Sequence, residues 1–221
     1  MGTQVFAVRT GTKYGPEYEQ YIDSKIPNVT WIREEIIGKH QWNKLIPMSL
    51  DIDEPVCVID IDTSFINDYM DMIEYPIKRG QFIAAQGWWN DTWKDDYKLQ
   101  GGFQKYYPKD CKYIYDKFVS DPEYWMEYYI KNKTTIGPVN GEQYFVEDSV
   151  KEKLDLQFLP ATWITRWEHM SHYDSEWLIS ANLKYPGEWL FLGGEFNPEV
   201  RMVHYLGQHQ PHLAMRKVQG W

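Results

Sequence analysis

Two aspartates stand directly after an apolar run in the first third of the chain. The run Val56–Ile59 is followed by Asp60 and Asp62, with one residue between them. An apolar run of this length predicts a fully buried strand, and residues two apart on a strand point to the same face. Carboxylates at the end of a buried strand repel each other and lose hydration. A divalent cation relieves both costs, and an oxygen-rich site favours Mg²⁺ or Mn²⁺, which usually carry substrate phosphates.

Other interpretations of this triplet stay open. A D-x-D triplet alone matches by chance, and solvated acids at a strand end are the simplest alternative. A calcium loop is disfavoured because Phe65 stands where the sixth-position glycine is required. The stretch "DIDTS" partly resembles the aspartyl-nucleophile signature of haloacid-dehalogenase phosphatases. That family usually carries its signature on the first strand, whereas this triplet comes well inside the chain.

The C-terminal part supplies a candidate third ligand. An alternating segment, which predicts a strand, ends at His204. Imidazole in an otherwise oxygen-rich site shifts the preference from Mg²⁺ toward Mn²⁺. His209 and His212 follow closely, and three histidines invite a zinc interpretation, but no C-x-x-C pair precedes them to complete such a site.

Composition limits the function classes. The 221 residues suffice for one large α/β domain or two small ones. The net charge of −9 argues against general nucleic-acid or anionic-membrane binding. The two cysteines, Cys57 and Cys111, do not make a disulfide framework. Neither a signal peptide nor a membrane-spanning run is recognisable, so a cytoplasmic location is expected.

Strands, turns and helices must position these side chains. The segment "TQVFAVRTG" predicts a strand that ends in a glycine turn, and Pro16 suits the first turn of the helix that follows. This order is typical of the start of a nucleotide-binding α/β unit, although G-x-G-x-x-G is absent. An amphipathic helix is expected before the central strand. If Lys44 of this helix faces the site, its ammonium group would bind phosphate as a point charge. The favoured alternative is that Lys44 lies on the solvated face of the helix.

The chain beyond the acid pair is expected to leave the sheet through a short helix or turn. The segment "NDTWKDDYKLQGG" is polar and turn-rich, and the tryptophans that flank it form either a sugar platform or core. These are Trp88, Trp89 and Trp93. Asp95 and Asp96 fit a phosphatase's second acidic motif poorly, because no buried strand precedes them. Glu142 opens a helix and is by itself an ordinary helix-start acid.

Four segments in order resemble one family. They are "HQWNKLIPMSL", "VCVIDIDTSFIND", "GEQYFVED" and "VHYLGQHQPH". The resemblance is to the GT-A glycosyltransferases related to glycogenin and the bacterial lipopolysaccharide galactosyltransferases, and it extends from residue 4 to 213. It implies a single α/β domain of Rossmann-like GT-A type, with a mixed, mostly parallel central sheet flanked by helices. About residues 1–100 would form the nucleotide-binding half, and about residues 101–221 the acceptor half with its C-terminal metal-ligand strand.

The resemblance also implies the ligands. The donor would be a UDP-sugar, the acceptor a glycan or other hydroxyl compound, and the metal Mn²⁺, with Mg²⁺ as the alternative. Asp60, Asp62 and His204 would hold the metal, and Glu142 and Gln143 would lie near the reacting sugar as catalytic residues. The implied donor-binding residues are Thr10, Gly11, Lys13, Tyr14, Lys44, Asp60, Ile61, Asp62, Gly207 and Gln210.

Three departures from the family pattern affect what is carried over. Glu142 replaces the usual aspartate. Gln210 replaces a lysine, which removes a cation normally aimed at the leaving phosphate. The segment "LQGGF" departs from an asparagine-led N-S-G-like stretch on the acceptor side. The leading hypothesis is a metal-dependent glycosyltransferase that retains anomeric configuration. The alternatives are a haloacid-dehalogenase-like phosphatase and a non-catalytic nucleotide-sugar or carbohydrate-binding protein that kept the fold.

Overall fold

The computed structural model describes residues 2–87, 97–132, 141–166, 191–192, 195–196 and 198–205. The chain divides into two compact units. The first contains Met1–Ile61, Ile73–Ala85 and Leu99–Phe158, and the second contains Asp62–Met72, Gln86–Lys98 and Leu159–Trp221. The expected division into a nucleotide-binding half and an acceptor half stays a prediction. Within the described parts of the chain, every helix is too short or too polar to span a lipid bilayer.

Eleven strands are described along the chain. They are β1 Gln4–Val8, β2 Thr30–Ile32, β3 Val56–Ile59, β4 Thr63–Phe65, β5 Gln81–Gln86, β6 Leu99–Tyr106, β7 Asp155–Phe158, β8 Ile164–Arg166, β9 Phe191–Leu192, β10 Glu195–Phe196 and β11 Met202–His204. The described helices are α1 Pro16–Lys25, α2 Met70–Ile73, α3 Pro108–Ser120, α4 Pro122–Asn132 and α5 Gly141–Lys153, with 3₁₀ helices at His40–Ser49 and Ala161–Trp163.

The first unit is built on a six-stranded sheet with the order β2-β1-β3-β6-β5-β7. Strand β1 pairs in parallel with β2 and with β3, and β5 pairs in parallel with β7. Strand β6 runs antiparallel to β3. Helix α5 packs on β6 and β7, and the 3₁₀ helix His40–Ser49 packs on β1 and β3. The predicted fold class, a mixed and mostly parallel sheet flanked by helices, is confirmed.

The central strand β3 is buried along its whole length, as its apolar composition predicts. The predicted strand before Gly11 and the predicted helix at Pro16 are also confirmed. Strand β6 was not predicted, because its leading "LQGG" has the composition of a turn. Pairing with β3 overrides that local preference, since strand formation depends strongly on cross-strand context.

A buried aromatic cluster joins three helices of this unit. The Trp42 ring stacks on Phe118 of α3, with centroids 4.8 Å apart and planes 10° from parallel. Phe145 of α5 lies 5.8 Å from Trp42 and 5.7 Å from Phe118. Rings of this size bury much apolar surface and prefer such offset or tilted contacts. The cluster therefore helps to hold the 3₁₀ helix, because 3₁₀ helices have hydrogen bonds of poorer geometry than α-helices.

The second unit contains a three-stranded sheet with the order β4-β11-β8. Strand β11 runs antiparallel to β4 and parallel to β8. Between the two antiparallel strands, the Tyr205 hydroxyl donates to or accepts from Ser64 Oγ at 2.9 Å. Strands β9 and β10 form a separate antiparallel pair. The short helix expected after the acid pair is α2, and the unpredicted strand β4 precedes it and pairs with a strand far away in sequence.

We predict that Trp42→Ala lowers the free energy of unfolding by about 3–5 kcal/mol, because it removes the central ring of the aromatic cluster and leaves a cavity. Urea denaturation followed by far-UV circular dichroism measures the change. Ile36→Ala is the control, since Ile36 is 65% exposed and its loss is expected within about 0.5 kcal/mol. Equal effects of the two substitutions would contradict the proposed role of the cluster.

Candidate functional site

Asp62 and His204 meet in the second unit. The antiparallel register of β4 and β11 places His204 opposite Thr63, directly beside Asp62 in sequence. The Tyr205 amide donates to the Asp62 carbonyl at 2.9 Å. His204 Nε2 then lies 3.6 Å from Asp62 Oδ1, and the imidazole is buried. Backbone pairing therefore fixes both side chains of the predicted metal pair.

The spacing of these two atoms fits a shared divalent ion. Ligand atoms sit about 2.1 Å from a small divalent metal, so two ligands of one ion are at most about 4.2 Å apart. The 3.6 Å between the Asp62 oxygen and the His204 nitrogen is within that limit. A carboxylate and an imidazole are ligands that Mn²⁺ accepts, whereas Mg²⁺ prefers oxygen alone.

Asp60 is held by the first unit. Strand β3 ends at Ile59, and the Asp60 amide donates to the Gly102 carbonyl of β6 at 2.9 Å. Only the buried Ile61 separates Asp60 from Asp62, so chain connectivity alone keeps the two carboxylates near each other. The membership of Asp60 in one ligand set with Asp62 and His204 stays a prediction. The expectation that strand alternation aligns the two acids is wrong, because both follow the end of the strand.

Lys44 is a buried partner of Asp60. Its side chain forms an ion pair with the Asp60 carboxylate, and Nζ also donates to the Gly101 carbonyl at 3.0 Å. Lys44 is only 5% exposed, so the alternative of a solvated helix lysine is wrong. A buried ammonium is tolerated where anions and carbonyls replace its water. The 3₁₀ helix carries this cation to the end of the central strand.

Glu142 and Gln143 lie beside the same strand. Glu142 is 2% exposed, and its Oε1 accepts a hydrogen bond of 3.2 Å from Gln104 Nε2. Gln143 Oε1 accepts a bond of 3.3 Å from the Gly101 amide. Burial raises the pKa of Glu142 to about 7, while Lys44 and the Gln104 hydrogen bond act in the opposite direction. Its burial and its raised pKa therefore distinguish Glu142 from an ordinary acid in the first turn of a helix.

Gly101 is the point about which these side chains converge. A Cβ added there would lie 3.3 Å from Glu142 Oε2, 3.6 Å from the Gln143 Cβ and 3.6 Å from Lys44 Nζ. A side chain at this position would thus crowd the Glu142 carboxyl group and touch Gln143 and Lys44. The segment "LQGGF" stands among the departures from the family pattern, and neither Gly101 nor Gln104 is predicted from the sequence as a site residue. The available signal was the glycine pair, since glycine inside a strand often marks a close approach.

The turn after β1 has the conformation that its glycine predicts. Gly11 has a φ of +69°, a region that L side chains rarely adopt. Thr10 is buried, and the Lys13 ammonium lies 4.7 Å from the centre of the Tyr14 ring. Tyr14 in turn packs edge-on against Tyr18 of α1. The nucleoside-binding role of residues 10 to 14 stays a prediction.

Several residues singled out from the sequence lie outside the described residues. They are Gly207, His209, Gln210 and His212 near the C-terminus, and Trp88, Trp89, Trp93, Asp95 and Asp96 in the middle of the chain. The predictions that concern the diphosphate contacts and the tryptophan platform therefore stay predictions.

Comparison by sequence finds no relatives. No family model matches the chain, and no curated protein matches it either.

Comparison by structure does find similar proteins. The glycosyltransferase GlyE of Streptococcus pneumoniae TIGR4 has a TM-score of 0.58 at 14% identity, over 95% of this chain and 56% of GlyE. The bifunctional glycosyltransferase WbbM has 0.57 at 13% identity, over 95% of this chain and 46% of WbbM. The galactosyltransferase LgtC, solved with donor and acceptor sugar analogues, has 0.57 at 12% identity, over 95% of this chain and 89% of LgtC.

These similarities concern the fold. The chain spans about half the length of the GlyE and WbbM chains and most of the LgtC chain. Together with the sheet order and its antiparallel strand β6, they show that the chain has the GT-A fold, as the resemblance of its motifs predicts.

Proposed function

We propose that the chain is a metal-dependent glycosyltransferase that moves a sugar from a UDP-sugar to a hydroxyl acceptor such as a glycan, with retention of anomeric configuration. The observation that carries the proposal is the 3.6 Å approach of His204 to Asp62 in a chain of GT-A fold. A D-x-D triplet alone is weak evidence, because it often occurs by chance. A D-x-D triplet whose second acid is brought by strand pairing beside a distant buried histidine occurs by chance far less often than the triplet alone.

The metal ligands in this proposal are Asp60, Asp62 and His204. They would hold Mn²⁺, with Mg²⁺ as the alternative, because the set combines two carboxylates with one imidazole. When bound, such a cation neutralises the charge that grows on a departing diphosphate. Lys44 supports the set, because its ion pair keeps the Asp60 carboxylate in a defined place.

The sugar end of the donor would lie near Gly101. Lys44, Glu142 and Gln143 converge there, and the missing side chain of Gly101 leaves the Glu142 carboxyl group uncrowded. An ionised Glu142 would favour the positive charge that develops on the sugar ring in an oxocarbenium-like transition state. Gln143 would lie beside the sugar as an uncharged side chain, and its position is fixed because its oxygen accepts a hydrogen bond from the Gly101 amide.

The remaining donor contacts follow the family resemblance. The turn from Thr10 to Tyr14 would hold the nucleoside, and the positive φ of Gly11 gives that turn its shape. Ile61 would contact the donor between the two acids. Gly207 and Gln210 would approach the diphosphate.

Donor hydrolysis is the experiment that tests this function. We expect the protein to hydrolyse one of a panel of UDP-sugars slowly in the presence of Mn²⁺, because water replaces a missing acceptor. Chromatography of released UDP measures it. Binding of the UDP-sugar without any release would support the non-catalytic binder instead. Phosphate release from a phosphomonoester, with Asp60 phosphorylated, would support the phosphatase, which the GT-A fold disfavours.

We predict that Asp62→Ala weakens Mn²⁺-dependent UDP binding by roughly tenfold or more, because the cation loses a charged ligand. Calorimetric titration of UDP with and without Mn²⁺ measures the change. The chain contains its own matched control, since Asp51-Ile52-Asp53 repeats the same tripeptide. Asp51 and Asp53 have side chains 94% and 73% exposed, and both pair with Lys109.

Asp53→Ala is therefore expected to leave Mn²⁺-dependent UDP binding unchanged. If Asp62→Ala and Asp53→Ala bind UDP equally well, the metal assignment is wrong.

We further predict that His204→Ala lowers the affinity for Mn²⁺ more than that for Mg²⁺, because the variant keeps only oxygen ligands. Electron paramagnetic resonance of free Mn²⁺, with Mg²⁺ as competitor, measures both affinities. His40→Ala is the control, since His40 pairs with Glu35 on the surface. An unchanged preference for Mn²⁺ in His204→Ala would remove the imidazole from the ligand set.

A further inference from the structure

Gln104 is a buried amide whose nitrogen is hydrogen-bonded and whose oxygen is not. It lies on β6 and is fully buried. Its Nε2 donates to Glu142 Oε1 at 3.2 Å, whereas its Oε1 has no hydrogen-bond partner among the residues that the structure describes. A buried acceptor left without a donor has lost its water and gained nothing in return. Such an atom in a buried strand calls for a physical reason.

The neighbour of this amide is the carboxyl group of Glu142. The groups that act electrostatically on Glu142 or are hydrogen-bonded to it come from three elements: Lys44 from the 3₁₀ helix, Asp60 after β3, and Gln104 and Tyr106 from β6. Burial dominates and raises the pKa of Glu142 to about 7. Both the ionised and the protonated carboxyl group are therefore populated near neutral pH.

We propose that Gln104 is a positioning residue that holds the Glu142 side chain in place in both of its protonation states by turning its amide over. When Glu142 is ionised, Gln104 Nε2 donates to the carboxylate. When Glu142 takes up a proton, its O–H donates to Gln104 Oε1, the atom that lacks a partner in the ionised arrangement. The proton comes from solvent and returns to it, and no other bond changes.

A glutamine suits this task for a simple chemical reason. Its amide presents a donor and an acceptor that exchange places on a half-turn of the terminal torsion. A leucine or methionine of the same size would leave the buried Glu142 carboxylate without this donor. A glutamate would add a second buried acid. The sequence shows nothing unusual at this position, since "GGFQKY" is an unremarkable polar–apolar mixture.

This inference rests on the proposed function only in its catalytic consequence. If the sugar reacts beside Glu142, Gln104 determines the position of the Glu142 carboxylate and the fraction of protein molecules in which it is ionised. We then expect Gln104→Met to lower kcat while the KM for the UDP-sugar changes little, because Gln104 has no role in holding the nucleotide. A parallel rise of KM would point to a general loss of structure.

The decisive experiment needs neither metal nor substrate. Infrared difference spectra against pH follow the carbonyl stretch of protonated Glu142, which is assigned by its absence in Glu142→Gln. In Gln104→Met we expect the titration midpoint to rise by about one pH unit, because the ionised form loses a hydrogen bond to a charged group. The carbonyl band should also move to higher frequency, since the carboxyl O–H loses its acceptor.

Gln100→Met is the matched control. Gln100 is a second buried glutamine of β6, and its Oε1 accepts from the Gly102 amide at 2.9 Å. This control should leave the Glu142 midpoint and band unchanged. If Gln104→Met titrates as the wild type does, or if Gln100→Met shifts the midpoint equally, the inference is overturned.

A wild-type measurement covers the case in which Gln104→Met fails to fold. The side-chain amide signals of Gln104 in ¹⁵N-labelled protein should shift with the same midpoint as the Glu142 band. Signals that stay constant through that titration would overturn the inference. A wild type that releases no UDP but shows the coupled titration would refute the proposed function and leave the role of Gln104 standing.

The pH dependence of stability gives a further check with a defined sign. The folded pKa of Glu142 lies above its ordinary value of 4.5. The folded state therefore binds a proton that the unfolded state has lost, and stability falls as pH rises from 4.5 to about 7. In Gln104→Met the fall should extend to higher pH, and in Glu142→Gln this contribution should vanish. Urea midpoints across that range measure both variants.

Discussion

The ion pair between the buried Lys44 and the half-buried Asp60 is the interaction on which the first unit's site depends. A buried ammonium needs a partner that replaces its water, and removing the carboxylate would leave the Lys44 charge uncompensated. Lys44 also donates to the Gly101 carbonyl. One ammonium group therefore ties the 3₁₀ helix to the end of β3 and to the middle of β6. It also lowers the electrostatic cost of the nearby Glu142, which explains how a helix-start acid stays buried there.

The two acids of the triplet are fixed by different parts of the chain. Asp60 is bonded through its amide to β6, whereas Asp62 is bonded through its carbonyl to the residue that follows β11. The peptide through Ile61 joins them. Each acid is thus fixed by a backbone hydrogen bond of its own, and side-chain alternation along a strand plays no part. His204 lies on β11, and the pairing of β11 with the three-residue strand β4 places it beside Asp62, although the two strands are distant in sequence.

The sequence predicts correctly those strands and turns that depend on the pattern of neighbouring residues. The apolar run before Asp60 predicts β3, the glycine predicts the turn at Gly11, and the alternating pattern predicts a strand that ends at His204. Strand β6 could not be predicted, because its pairing with β3 decides its conformation and its leading residues favour a turn. The burial of Lys44 and Glu142 was equally inaccessible, since a charged residue is buried only when partners from other elements replace its water.

The repeated tripeptide Asp-Ile-Asp has a consequence for how divergent chains are surveyed. Both copies satisfy the same pattern within a dozen positions of each other. At the first copy, surface acids neutralise a lysine that stays in contact with solvent. At the second, a backbone pairing delivers an imidazole. A scan that scores the triplet in isolation ranks them equally, whereas one that also demands a histidine at the end of a later alternating segment selects the second. For remote members of this fold, detection improves by pairing distant signals, and lengthening the local pattern adds little.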